Sequence, residues 1–278
     1  MLNIHKLVIE KFSEGLESTY NRHFGFLNPE FGGFIRWAAF LALENISNSD
    51  MLYHNVEHTM LVTAAGQDIL IGKHLIEGTV TPEDWLRFLL GLLFHDIGYV
   101  RGVCRDDAFP NFATGSDNLT TTLPQGSTDA ALTPYHVSRS QLFVRERFSE
   151  NHLLSPYVDE ICACIEMTRF PPPASSGYQE TGTYAGLTRA ADFIGQLGDR
   201  DYLRKIPALF YEFEQIGTNA ALGYKHPEDM RKGYATFFWK VVHQYLKDGV
   251  RYLSITESGR QWLSHLNSHI FEVEHDTN

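Results

Sequence analysis

Residues 81–98, TPEDWLRFLLGLLFHDIG, decide the fold class of this chain. The opening Thr-Pro-Glu-Asp combines a capping hydroxyl, a proline suited to a first helical turn, and two acids that complement the helix dipole. Apolar residues then recur at helical spacing, and Gly98 is typical of the residue that follows a helix. We therefore predict a helix over residues 82–96 whose end presents His95 and Asp96.

The same helical spacing recurs along the other long segments, whereas the strict alternation of a strand is hard to find. We therefore expect an all-α fold. The predicted helices cover residues 3–22, 31–46, 56–76, 82–96, 136–149, 155–168, 185–197, 200–216, 227–247 and 256–272. Two irregular segments, 101–134 and 170–183, are expected to form walls or lids of a site. The first contains Asp106, Asp107 and Asp129, which are candidates to hold metal-bound water but are expected to cap turns.

The composition narrows the class of protein. The 34 acidic and 23 basic residues give a net charge of −11, which disfavours nucleic acid as a general partner. Three cysteines offer no disulfide framework, so we expect a cytoplasmic protein. The stretch MLNIHKLVIEKFSEGLESTY lacks the apolar core of an export signal, and the most apolar stretch, residues 85–94, is too short to span a bilayer. We expect no membrane partner and leave a homodimer open.

Histidines and carboxylates occur beside several of the predicted apolar helices. The sequence YHNVEH places His54 and His58 four apart, on one face if the segment is helical, although such a pair alone is more typical of surface or core residues. His95 and Asp96 directly follow an apolar run, and Asp192 lies within another, RAADFI. A carboxylate next to a core is costly unless it is paired or bound to a metal. We therefore expect these side chains to meet at a metal.

The mixture of imidazole and carboxylate suits divalent Fe, Mn, Zn or Mg rather than an ion that prefers thiolates. A divalent ion lowers the pKa of a bound water and neutralises a phosphoryl oxygen. Hydrolysis of a phosphate ester is therefore the chemistry that these residue types predict.

The order His58, then His95-Asp96, then Asp192 resembles the H…HD…D signature of the HD-domain metal-dependent phosphohydrolase superfamily, over roughly residues 50–200. The YHNxxH and Ala-Asp segments further resemble class I cyclic nucleotide phosphodiesterases. The resemblance implies that these four residues bind the metal and that Asp96 is catalytic as well. By the same comparison, the residue one turn before the first ligand, His54, is implied to be the general acid.

The resemblance also implies a phosphodiesterase-like helical bundle. We expect a single HD-type domain over residues 1–278, with the N- and C-terminal helices packed on a metal-binding core at about 50–200. The implied substrate is a phosphomonoester or phosphodiester of a small molecule, such as a nucleotide or cyclic nucleotide.

Some positions depart from these relatives. Residue 99 is Tyr, where the phosphodiesterases have the histidine of HDxxH and HD-GYP-like relatives have a lysine. The paired histidines that binuclear relatives often carry near Glu166 are missing from the sequence. We therefore expect one tightly held ion. His136 and Glu166 are candidates to contact the metal ligands or to bind a second metal. The plainer interpretations are that His136 begins a helix and that Glu166 lies on a solvated helix face.

A substrate anion also needs positive groups around it. The candidates are Arg101, Arg105, Arg139, Arg169 and Arg189. Most arginines are simply solvated, but Arg101 follows the His-Asp pair closely and Arg169 precedes the triproline segment. We expect these two to contact the substrate phosphate.

Two other functions remain open. An HD-type di-iron oxygenase would use the same helical scaffold, but it needs further histidines for a second iron. A metal-containing nucleotide-binding module without turnover would be recognised by a missing ligand or acid, and every expected one is in the sequence.

Overall fold

The structure, a computed structural model, describes residues 4–276 and confirms the all-α class. Over these residues, twelve α-helices are joined by short 3-10 and π turns, irregular segments and one two-stranded sheet. The helices are α1 (Ile4–Phe24), α2 (Pro29–Ile46), α3 (Val56–Glu77), α4 (Pro82–Phe94), α5 (His136–Phe148), α6 (Val158–Glu166), α7 (Tyr184–Leu197), α8 (Tyr202–Gln215), α9 (Thr218–Leu222), α10 (Pro227–Phe237), α11 (Lys247–Leu253) and α12 (Glu257–His275). The strands β1 (Asn111–Ala113) and β2 (Thr120–Thr122) pair antiparallel.

Most predicted helices are present, with ends shifted by a few residues. The predicted start of the first helix, residue 3, lies outside the described residues. The predicted helix over 155–168 begins instead with a 3-10 turn, and the one over 227–247 ends at Phe237, after which a π turn and a 3-10 turn follow. Two short helices, α9 and α11, were not predicted, because five and seven residues are too few to show a helical period.

The predicted start of α4 is confirmed in detail. The Thr81 side chain accepts a hydrogen bond from the Asp84 backbone N–H, and the Asp84 carboxylate accepts one from the Thr81 N–H. The helix ends at Phe94, close to the predicted end, so that His95 and Asp96 follow it, but the interpretation of Gly98 as a helix cap is wrong because Gly98 is not left-handed. A Cβ at Gly98 would lie 2.0 Å from the His136 carbonyl oxygen. Glycine is required there because the backbone of α5 approaches closely.

Close packing brings the ligand-bearing helices together. α4 contacts α2, α3, α6 and α7, and α3 packs along α7. A Cβ on Gly195 of α7 would lie 2.5 Å from the Val62 Cα of α3, so a side chain there would force these helices apart. One buried apolar cluster includes residues near both ends of the chain, from Leu16 of α1 to Ile270 of α12. The start of α3, the end of α4 and the later turns of α7 therefore face one another.

The irregular segment 101–134 is pinned to α5 by Arg139. The buried Arg139 guanidinium donates to Asp107 at 2.8 and 2.9 Å and to three backbone carbonyl oxygens. Asp107 also accepts hydrogen bonds from the backbone N–H groups of Gly102 and Cys104, so it caps a turn, as expected, and neutralises a buried cation as well. The β1–β2 hairpin, which was not predicted, belongs to this segment.

The structure bears on two expectations drawn from composition. Cys104, Cys162 and Cys164 are all buried and free of disulfides. Between residues 4 and 276, no helix is both long enough and apolar enough to pass through a bilayer.

Candidate metal centre

His58 lies in the first turn of α3, where the capping residue fixes the backbone. The Asn55 side chain accepts hydrogen bonds from the N–H groups of Glu57 and His58. The helix begins at Val56, as predicted, so His54 lies before it and the two histidines do not share a helix face. The two rings still meet edge to face, with centroids 5.1 Å apart.

His95 and Asp96 lie in the turn that leaves α4. The His95 Nδ1 donates to the Leu92 carbonyl oxygen at 2.7 Å, so Nε2 is the ring nitrogen that faces Asp96. Ser140 of α5 donates to the His95 carbonyl oxygen at 2.7 Å and accepts from the Gly98 N–H at 2.9 Å. α5 therefore holds this turn in place.

Asp192 approaches the two histidines from α7. Its Oδ1 lies 3.6 Å from the His58 Nε2 and 3.7 Å from the His95 Nε2. The Asp96 Oδ2 lies 3.3 and 3.1 Å from the same two nitrogens. The structure thus brings the four predicted ligands to one point.

Three buried atoms at this point lack a hydrogen-bond partner among residues 4–276. They are the His58 Nε2, the His95 Nε2 and the Asp96 Oδ2. A buried polar atom without a partner costs about 1–3 kcal/mol, and more if it is charged. Two groups of side chains have ligand atoms within 4.8 Å of one another, namely His54, His58 and Asp96, and His58, His95 and Asp192. The residues therefore form His/Asp groups able to bind a metal.

At this point the carboxylates attract positive charge, whereas burial opposes charge on each of the four side chains. Burial favours the neutral form of Asp96, but the His95 and His58 rings outweigh it and hold its pKa well below the usual value. Burial lowers the pKa of His95, but Asp96 and Asp192 outweigh it and raise that pKa to about 9. Burial lowers the pKa of His58 against the pull of Asp96, and it raises the pKa of Asp192 against the two histidines. The carboxylates thus provide the potential that a cation needs.

His54 is held beside this point by Glu212 of α8. The His54 Nδ1 donates to the Glu212 Oε2 at 2.6 Å, and the Oε1 accepts the backbone N–H groups of Tyr53 and His54 at 2.6 and 3.2 Å. Because Nδ1 faces Glu212, Nε2 is the ring nitrogen left available to a substrate. Burial opposes charge on His54, but Glu212 outweighs it and raises the pKa of His54 to about 9.

Sequence reasoning missed Glu212. Its side chain is only 4% exposed and lies in the run LFYEF, residues 209–213. A carboxylate within an apolar helical run is the signal that identified Asp192, so the same criterion applied to α8 would have found it. The pairing of Glu212 with His54 could not have been predicted this way, because helical spacing does not indicate which helices pack together.

Tyr99 lies between two histidines. Its ring stacks on His136, with centroids 4.3 Å apart and 8° between the planes, and on His54 at 5.1 Å and 29°. The His136 Nδ1 donates to the Thr133 carbonyl oxygen at 2.6 Å, and its Nε2 lies 3.9 Å from the Asp96 Oδ1. Burial lowers the pKa of His136 to about 4, despite Asp96. His136 is thus both the first residue of α5 and a neighbour of a ligand.

Glu166 is not placed with the metal ligands. Its carboxylate accepts four hydrogen bonds of 2.6 to 2.9 Å, one from Gln141, one from the Tyr178 hydroxyl and two from Arg169. A carboxylate has about four acceptor positions, so this arrangement leaves none for a second metal. The plainer interpretation of a solvated face is also wrong, because the side chain is half-buried in this cluster. Arg169 in addition donates to Ser138 at 3.1 Å, near the start of α5.

Arg101 ties together two loops. Its guanidinium contacts Asp129 and donates to Asp50 at 2.8 Å and to the Ser127 carbonyl oxygen at 3.3 Å. Each of its nitrogens therefore has a protein partner. Phosphate contact by Arg101, as by the Glu166-paired Arg169, stays a prediction.

Comparison with known proteins places the chain in a family. A family model described as Npun_R2479-like matches residues 2–276. No curated protein matches the chain. The description of the family states no activity.

Proposed function

The chain belongs to the Npun_R2479-like family, and we propose that it is a metal-dependent phosphohydrolase of the HD-domain type. One observation carries the proposal. The buried His58 Nε2, His95 Nε2 and Asp96 Oδ2, which have no hydrogen-bond partner within the described residues, converge with the Asp192 carboxylate. These residues also follow the H…HD…D order along the chain. The proposed substrate is a small-molecule phosphomonoester or phosphodiester, such as a nucleotide or cyclic nucleotide.

The four residues would hold a divalent ion such as Fe, Mn, Zn or Mg. Such an ion supplies charge neutralisation at a phosphoryl oxygen and a lowered pKa for a water. The chain itself orients the ligands, since Leu92 fixes the His95 ring and the Asn55 cap fixes the backbone at His58. The burial of these side chains also limits access of bulk water, which strengthens their effect on a charged substrate.

We assign protonation of the leaving oxygen to His54. Glu212 holds the His54 Nδ1 at 2.6 Å, so Nε2 is the nitrogen that would donate. The negative charges of Glu212, Asp96 and Asp192 all favour the protonated ring. General-acid assistance is typically worth about 10²–10⁴-fold in rate, most of all for a poor leaving group. The free, buried cysteines agree with a reducing compartment, and we propose that the enzyme is cytoplasmic.

A di-iron oxygenase is the second candidate, favoured by one observation. The Asp96 Oδ2 faces His58 and His95, whereas its Oδ1 lies 3.9 Å from the His136 Nε2. A carboxylate whose two oxygens face different nitrogens is able to serve two ions. We favour a single ion because Glu166 is saturated by its own partners.

Metal analysis of the purified chain, followed by a panel of phosphomonoesters and phosphodiesters, tests the proposal. We expect about one divalent ion per chain, and turnover of at least one ester class that chelation removes and added metal restores. A chain that holds its metal but hydrolyses no ester in the panel would contradict a phosphohydrolase. Two ions per chain together with consumption of oxygen would favour the oxygenase.

A matched pair of variants shows whether the metal is at the proposed site. Asp192→Asn is the test, and Asp68→Asn is the control. Asp68 lies on α3 with His58, but its carboxylate accepts hydrogen bonds from Ser258 and Trp262. Only the Asp192 variant should lose metal, so equal loss from both variants would remove the support for the ligand assignment.

A further inference from the structure

Arg189 on α7 is a buried cation without a carboxylate partner. Its side chain is 1% exposed, and no Asp or Glu in the range 4–276 forms an ion pair with it. The other four arginines singled out in the sequence are accommodated differently. Arg101, Arg139 and Arg169 pair with carboxylates, and Arg105 is exposed. Arg189 therefore differs from all of them.

The guanidinium of Arg189 is already oriented on two sides. Its Nη1 donates to the Tyr178 carbonyl oxygen at 2.6 Å, and its plane lies over the Tyr245 ring, 3.9 Å from the centroid. Its Nε and Nη2 are buried and have no hydrogen-bond partner in the part of the chain that the structure describes. These two N–H groups lie side by side along one edge, which is the edge that binds two oxygens of a carboxylate or phosphate.

Such an arrangement is costly for a purely structural residue. Burial lowers the pKa of Arg189, which expresses the penalty on its charged form. The Tyr245 ring offsets part of this penalty through a cation–π contact. Packing against Tyr245, however, needs no charge, and an apolar side chain of similar size would fill the space without leaving two donors unpaired.

We propose that Arg189 forms an oxyanion-binding site, which takes a phosphate or carboxylate group on its Nε–Nη2 edge. Arg189 is not one of the proposed metal ligands, and it precedes Asp192 by one helical turn on α7. The segment 170–183 covers it, because Tyr178 contacts Arg189 through its carbonyl oxygen and Glu166 through its hydroxyl. Since Nε and Nη2 are shielded from solvent, the anion enters when this segment moves aside.

Anion titration of the full chain tests the site. Inorganic phosphate and acetate are titrated separately by calorimetry, at an ionic strength kept constant with chloride, with and without a chelator. We expect at least one anion to bind with chelator present, and Arg189→Met to weaken this binding by about tenfold or more. Arg105→Met, the same charge change at an exposed position, should bind like the wild type. Anion binding that persists without metal does not depend on the proposed hydrolase activity. If the chain proved not to be a phosphohydrolase, the expected anion binding would therefore be the same.

Two further measurements make the outcome decisive. Arg189→Lys keeps the charge but loses the paired Nε and Nη2 donors, so it should also weaken anion binding. This variant replaces Arg189→Met as the test if the Met variant does not fold. Hydrogen exchange in segment 170–183 should change on adding the anion to the wild type and not to Arg189→Met. Binding of phosphate alone identifies a phosphate group as the ligand, and binding of acetate alone a carboxylate. No anion binding by the wild type, or equal binding by the wild type and the Lys variant, would overturn the proposal.

Discussion

The Glu212 Oε2 lies 2.6 Å from the His54 Nδ1, although 158 residues separate the two in the sequence. The other oxygen of the same carboxylate accepts the backbone N–H groups of Tyr53 and His54. Glu212 therefore fixes both the ring and the backbone of the residue to which we assign leaving-group protonation. It would act through His54 without touching the substrate, which makes it a positioning residue.

Glu212→Gln should lower turnover without removing the metal. An amide oxygen can still accept from the two backbone N–H groups, but a neutral amide no longer favours a protonated His54 ring. We expect kcat to fall by about 10–100-fold on an ester with a poor leaving group, with little change in KM. Steady-state kinetics and metal analysis measure the two effects. Glu214→Gln, an exposed change on the same helix, is the control, and an equal loss in both variants would contradict the positioning role.

His54→Ala tests the general acid directly. We expect the variant to keep its ion and to lose about 10²–10⁴-fold in rate on esters whose alkoxide leaving group needs a proton. An activated aryl phosphate, which departs unprotonated, should be affected far less. Rates on the two kinds of substrate are compared alongside metal content. Equal losses on both, or loss of the metal, exclude the assigned role.

Asp96→Ala and Asp192→Ala should each abolish metal retention and lower the melting temperature. Removing a charged ligand leaves the ion under-coordinated, and loss of a ligand that binds only the folded state reduces stability. Elemental analysis and thermal melting measure both effects, and a chelator should reduce the difference in melting temperature from the wild type. If a variant keeps its full metal content and the wild-type melting temperature, the replaced aspartate is not a metal ligand.

Asp107→Asn should destabilise the fold in a pH-dependent way. Burial favours the neutral form of Asp107, but the Arg139 guanidinium outweighs it and lowers the pKa of Asp107. A carboxylate with a lowered folded-state pKa stabilises the fold above its unfolded pKa, about 3.9, and loses this contribution as the pH falls towards the folded value.

Breaking a buried pair typically costs about 3–5 kcal/mol, so the Asn variant should be less stable than the wild type by roughly that amount at pH 7. The difference should shrink below about pH 4, where the carboxyl of the unfolded wild-type chain takes up a proton while that of the folded chain is still ionised. Denaturant unfolding at several pH values measures this. A difference that stays constant down to pH 3 would show that the Arg139 pair is not its source.

The sequence predicted most of the helices because helical periodicity is a local property of the chain. The Thr81 cap was correct for the same reason, since it involves residues three apart. Predictions failed where a distant backbone decides the outcome. Gly98 looked like a helix terminator, but it is needed because the His136 carbonyl oxygen passes close by.

The sequence by itself determined the helical class and singled out His58, His95, Asp96 and Asp192. These polar side chains lie beside apolar runs that must be buried, so they carry a desolvation cost whichever elements the runs pack against. Only the tertiary structure decided which charges are compensated. In the folded chain Arg139 pairs with the carboxylate of Asp107, and His54 pairs with that of Glu212. The Nε and Nη2 of Arg189 have no hydrogen-bond partner among the described residues. The physical reason is that a buried charge is stabilised by whatever lies within a few ångströms of it, and those neighbours are set by helix packing and not by proximity along the chain.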